Sequence, residues 1–133
     1  MASLELIVSL ILALFTMYEF KRTHTFENRI DESTRMLKKY PQRVPIILEE
    51  DPLTSPPPID KHKYLVPRDA TMGQFLLTIR KRMKLHEAVA LFLVVSGDLL
   101  PMSHLAGSVY DAKVANDGFL YCVYSTETSF GAS

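Results

Sequence analysis

The sequence predicts an α+β fold: a four-stranded mixed sheet crossed by one helix, with additional helices at the N-terminus. Three observations predict it. Two β-prone segments, 44–49 and 63–66, precede a capped amphipathic helix over 71–83, and two further apolar segments, 90–95 and 119–124, follow it. A chain of 133 residues has room for one domain with a modest core.

The first periodic element is ENRIDESTRMLKK, residues 27–39. Ile30 and Leu37 lie seven apart with Met36 beside them, and the other positions are mostly polar, which reads as a charged amphipathic helix. Pro41 stops it. Val44–Glu49 is apolar and β-branched, and its proline suggests the start or edge of a sheet. DPLTSPPPID, residues 51–60, holds four prolines and reads as a surface loop. Lys63–Val66 is a second short strand closed by Pro67, and the short connection suggests that the two strands pair.

Thr71 with Gln74 has the capping-box form, and Met72, Phe75, Leu76, Ile79 and Met83 repeat on one helical face. Arg80, Lys81, Arg82 and Lys84 crowd the C-terminal turn, where the helix dipole favours cations. Ala90–Val95 is a continuous apolar run, consistent with a buried central strand, and Gly97-Asp98 marks a turn after it. Residues 103–112 read as a short helix or turn, and Phe119–Tyr124 as a final strand. Strand, strand, crossing helix, strand, strand is the β-grasp or ubiquitin-like order.

Composition narrows function. Basic and acidic residues balance at 15 each, so no whole-chain field points to nucleic acid. A single cysteine, Cys122, excludes an internal disulfide, and its apolar strand neighbours suit a buried thiol better than a nucleophile. The four histidines have no metal-ligand spacing, and neither a phosphate loop nor a nucleophile elbow is present. An enzyme is not expected, and no metal site is.

Residues 1–16 form an apolar extension. Between Glu5 and Glu19 lie thirteen uncharged residues, fewer than the roughly 20 that span a bilayer. Three readings stay open: an extra apolar helix that inserts at a membrane surface, a chain that starts at Met17, and a signal sequence, although Lys21 and Arg22 follow the run rather than precede it.

Four segments carry a specific resemblance: KKYPQRVPIILE (38–49), DKHKYLVPRDATMGQF (60–75), IRKRMKL (79–85) and DGFLYCVYSTETSFG (117–131). From Tyr18 to Gly131 the chain resembles the GABARAP and microtubule-associated light-chain-three family of autophagy ubiquitin-like modifiers. The resemblance implies a ubiquitin-like domain over 17–125, with a helical segment at 17–40, and a flexible tail at 126–133. It implies that a processing cysteine protease cuts after Gly131, which follows Phe130. Activating and conjugating enzymes would then join that glycine to phosphatidylethanolamine, a covalent lipid rather than a cofactor. A terminal glycine without a Cβ suits threading through narrow active sites. Cytoplasmic localisation, with a move to the autophagosomal membrane after lipidation, is implied too.

The resemblance further implies a binding face for cargo receptors and adaptors that carry an aromatic-x-x-aliphatic motif, with microtubules as a further partner. The first pocket would use Glu32, Met36, Pro45, Lys63, Leu65 and Phe119. The second would use Tyr64, Val66, Pro67, Ala70, Phe75, Thr78 and Arg82. Backbone groups of Lys63 and Leu65 would pair with the peptide, while Arg43, Lys61, Lys63 and Arg82 would attract its acidic flank. Ala70 and Thr78 stand where the family commonly has larger aliphatic residues, so a wider second pocket favouring bulkier anchors is expected. The alternative class is a binding module for motif-bearing or cytoskeletal partners that is never lipidated.

Overall fold

In the computed structural model, which describes residues 3–8 and 19–126, the main elements are α1 (Glu19–Thr23), α2 (Phe26–Lys39), β1 (Arg43–Glu50), β2 (Lys63–Pro67), α3 (Met72–Met83), β3 (Phe92–Val95), β4 (Asp98–Leu99), α4 (Ala106–Lys113) and β5 (Leu120–Ser125). Residues 4–8 are helical and exposed. The sheet order is β2-β1-β5-β3-β4. β1 pairs antiparallel with β2 and parallel with β5, and β3 pairs antiparallel with both β5 and β4.

Local chemistry explains the boundaries. The Thr25 hydroxyl accepts the Asn28 amide and starts α2. Thr71 and Gln74 form the reciprocal capping box at α3, whose end is marked by Lys84 in the left-handed conformation at φ 55°. Ser96 and Gly97 both have positive φ, 48° and 87°, the requirement of a tight hairpin turn. That hairpin returns the chain as β4, so the sheet has five strands rather than the four expected. The turn centres on Ser96-Gly97, one residue before the expected position.

Alternation along β1 places Val44, Ile46 and Leu48 on the face covered by α3, where they join Met72, Phe75 and Ile79. Ile47 lies on the opposite face with Phe119 and Tyr121, under Phe20 of α1 and Met36 of α2. β1 is therefore buried nearly throughout, as is β5. The 90–95 run behaves differently from the expectation. Only Phe92–Val95 is strand, it lies between β5 and β4 rather than at the centre, and its burial alternates. The helical cluster on the α1–α2 face gathers on β1 and β5 residues, which leaves Phe92 and Val94 half-exposed. The proline-rich loop is also less free than its composition suggests. Pro56 and Ile59 are buried, and the Tyr124 hydroxyl donates to the Pro57 carbonyl at 2.8 Å.

A buried polar cluster fastens α2 to the sheet. Arg29 Nη1 lies 2.7 Å from Asp117 Oδ2, the Tyr121 hydroxyl donates to the same oxygen, and the Phe119 amide donates to Oδ1. The Ser33 hydroxyl donates to the Asp117 carbonyl at 2.6 Å. Gly118, at φ 87°, admits this approach, because a Cβ there would stand 2.3 Å from Ser33 Oγ. Burial, first, and the bond to Asp117 hold the Tyr121 phenol protonated, so it stays a donor.

Candidate functional site

β2 is an edge strand, and its register decides what the edge offers. The Leu48 amide donates to the His62 carbonyl at 2.7 Å, and the Arg68 amide to the Gln42 carbonyl at 2.9 Å. Even-numbered residues of β2 thus bond inward to β1. In an antiparallel ladder the intervening residues, Lys63 and Leu65, turn their amides and carbonyls to the free edge. Pro45, which has no amide proton, stands opposite Leu65, where none is required. Arg43 reaches the edge as well and donates to the Leu65 carbonyl at 3.3 Å.

Side chains alternate accordingly. Tyr64 and Val66 point to the α3 face and help line a cavity of about 510 Å³. All seven residues expected in the second pocket are there: Tyr64, Val66, Pro67, Ala70, Phe75, Thr78 and Arg82. Gln74 and Lys81 were missed by sequence reasoning, although their helical spacing from Thr78, four before and three after, signals the shared face. Tyr64 and Phe75 meet edge to face, with centroids 5.3 Å apart. The Tyr64 hydroxyl is buried without a hydrogen-bond partner, and burial raises its pKa. The Thr78 hydroxyl is bonded to the Gln74 carbonyl at 3.1 Å, which limits the polarity it lends the cavity.

Of the first-pocket residues, Glu32, Met36, Pro45, Lys63 and Phe119 gather on the opposite face, whereas Leu65 also borders the second cavity. Phe119 and Pro45 are buried, whereas Met36, Leu65 and Glu32 are half-buried. Lys63 Nζ lies 2.6 Å from Glu32 Oε1 and 5.3 Å from the Phe20 ring. Phe20 in turn meets Phe119 edge to face at 5.2 Å. Phe20 and Ile47 therefore complete this site, and both were missed. Ile47 could have been found as the neighbour of Pro45 on one strand face, whereas nothing local to Phe20 points across the fold to Phe119.

The four cations expected to attract acidic flanks are engaged to different degrees. Arg82 makes a two-pronged contact with Asp60, at 2.8 and 3.2 Å, which holds the Asp60 carboxyl below its usual range. Lys63 is paired with Glu32, Arg43 bonds the Leu65 carbonyl, and Lys61 lies over the Tyr64 ring at 5.0 Å. Gly131 and Phe130 lie outside the described residues, as does most of the 1–16 extension. Cys122 is buried and its thiol pKa is raised by burial, the reverse of what a thiolate nucleophile needs. Among the described residues no group of three or more His, Cys, Asp or Glu side chains could hold a metal, and no helix is long and apolar enough to cross a membrane.

Comparison with known proteins gives a consistent picture. Residues 28–131 match the family model described as the ubiquitin-like autophagy protein Atg8. The chain is 49% identical over 114 residues to autophagy-related protein 8e of Arabidopsis thaliana, covering 86% of this chain and 93% of that protein. Autophagy-related protein 8A of rice (Oryza sativa subsp. indica) is 45% identical, with 86% and 96% covered. The crystal structure of Trypanosoma brucei ATG8 superposes with a TM-score of 0.76 at 38% identity, covering 80% of this chain and 91% of that one. With its ubiquitin-like sheet and a family match over most of its length, the chain belongs to the Atg8 family of ubiquitin-like autophagy proteins.

Proposed function

We propose that this protein is a lipid-conjugated modifier of autophagy that works as a membrane-tethered adaptor for proteins bearing an aromatic-x-x-aliphatic motif. The observation that carries the adaptor reading is the arrangement about β2: an edge whose Lys63 and Leu65 backbone groups lie outside the β1 ladder, and one apolar site on each face of that edge. A peptide added to the edge as a strand points successive side chains to opposite faces. Anchors three residues apart have opposite parity. An aromatic ring on the Leu65 face therefore places the aliphatic anchor on the Tyr64–Val66 face, over the second cavity. With the aromatic end beside Lys63 and Leu65, the peptide runs parallel to β2. Acidic flanking residues are received by Lys61 and Arg43, whose contacts are exposed enough to exchange.

Family membership and the tail sequence support conjugation. A cysteine protease removes Ala132-Ser133, activating and conjugating enzymes carry Gly131, and the glycine carbonyl ends in an amide with phosphatidylethanolamine. The protein then moves from the cytoplasm to autophagosomal membrane. Intact mass of the membrane-associated form, beside Gly131→Ala, tests this. Loss of two residues and gain of a phospholipid on the wild type alone is expected. An unprocessed tail on membranes would overturn lipidation and leave the unlipidated binding module. For the adaptor, a peptide with its aliphatic anchor moved one residue closer to the aromatic loses parity and should bind at least about tenfold more weakly. Equal affinity would overturn the two-face arrangement.

A further inference from the structure

Beside the first motif site, and sharing Phe20, Ile47 and Lys63 with it, the β2 edge carries an acidic recess. It is a cavity of about 310 Å³ between α1 and the β1–β2 ladder, whose polar lining includes Glu19, Glu49, Glu50 and His62. Glu49 is only 8% exposed. Its Oε1 accepts the Phe20 amide at 2.9 Å, and its Oε2 is buried with no hydrogen-bond partner. Such an oxygen is an unmet acceptor at a desolvated position, which a donor entering the recess would complete. The two basic side chains that border the recess already have partners. Lys63 is paired with Glu32, outside the recess, and the His62 ring bonds the Leu48 carbonyl through Nδ1 and stands 3.9 Å from Glu50 through Nε2.

The register locates the recess relative to a docked strand. Ile47 pairs with Lys63, so Glu49, two residues further along β1, stands level with the N-terminal end of β2 on the same sheet face as Ile47. A strand parallel to β2, with its aromatic anchor beside Lys63 and Leu65, returns to that face two residues earlier, about 6.6 Å toward the recess. The intervening residue faces the other side, where Lys61 lies. A side chain two residues before the aromatic must span β2, two interstrand spacings or about 9.6 Å from the peptide to β1, and meets the Glu49 carboxylate reaching from the other side, which suits a long one.

We infer that the recess is a specificity subsite for a basic side chain, lysine or arginine, placed two residues before the aromatic anchor of a docked peptide. This rests on the strand-addition reading above. It makes the two flanking positions opposite in preference: acidic immediately before the anchor, toward Lys61, and basic one residue earlier, toward Glu49 and Glu50.

The test is a titration of the full chain with three peptides identical except for arginine, alanine or glutamate at that position. We expect the arginine peptide to bind about fivefold more tightly than the glutamate peptide at low salt, with a difference that shrinks as salt is added. Glu50→Gln, at a partly exposed position, should narrow the gap with little effect on folding, and Glu49→Gln should narrow it further. Equal affinity of the three peptides, tighter binding by glutamate, or a gap unchanged in both variants would overturn the subsite while leaving the adaptor reading standing. Binding by none of the three, against a folded protein, would instead overturn the strand-addition reading and the subsite with it.

Discussion

The Lys63 ammonium lies 2.6 Å from the Glu32 carboxylate and joins the edge strand β2 to helix α2 across the first motif site. The pair is partly open to solvent, with side chains 42% and 20% exposed. Exposed pairs contribute about 0–1 kcal/mol, because solvent screens them and ordering two long side chains offsets the attraction. An aromatic anchor can therefore displace Lys63 at little cost, and the apolar wall beneath matters more. Glu32→Gln should change the affinity of an aromatic-x-x-aliphatic peptide by no more than about threefold, whereas Leu65→Ala should weaken it by more than about tenfold. Titration of both variants checks the contrast, and the reverse order would show that the ion pair governs the site.

In the second cavity, Ala70 and Thr78 supply small walls beside Val66 and Phe75. Filling the space with Ala70→Leu and Thr78→Leu should reverse the anchor preference. The wild type should favour leucine or isoleucine over valine, and the double variant should bind valine as well or better. Each methylene is worth about 0.8 kcal/mol when buried, so differences of a few-fold are the scale to measure. A wild type indifferent to anchor size would count against the wider pocket.

Asp117 holds α2 in place through Arg29, Tyr121 and Ser33, and its own side chain is wholly buried. Asp117→Ala leaves the Arg29 guanidinium, 12% exposed, without its counter-charge. Breaking one side of a buried pair typically costs about 3–5 kcal/mol. Urea denaturation should register a loss of that order, and motif binding should weaken because α2 carries Glu32 and Met36. Gly118→Ala should also destabilise strongly, since both its positive φ and the nearness of Ser33 oppose a Cβ.

Burial holds the Glu49 carboxyl above its ordinary pKa, although the Phe20 amide pulls it partly back. The folded state thus binds this proton more tightly than the unfolded chain does. Its contribution to stability is present below the unfolded pKa and is lost as pH rises through the folded one. Glu49→Gln keeps the shape without titrating. Melting curves from about pH 4 to about pH 7 should show the variant gaining on the wild type as pH rises. A wild type that gains on the variant instead would mean that α1 capping by the ionised carboxylate outweighs burial.

Much of this molecule is decided by local chemistry that can be read along the chain. The Thr71–Gln74 capping box and the apolar face of Met72, Phe75 and Ile79 determine α3, and with it one wall of the second cavity. Alternation in 63–66 determines which β2 side chains share a face. Cys122, flanked by apolar strand residues, is as buried as its neighbours imply. Tertiary structure decided what depends on residues far apart. Phe20 meets Phe119 across the fold, Glu49 caps α1 from β1, and Arg29 finds Asp117 at a separation of 88 residues. β4 arises only because the Ser96-Gly97 turn folds two exposed residues back onto β3. Periodicity reports which face of a segment is apolar, but the partner that covers the face, and any carboxylate left buried there, is set by the packing of the whole chain.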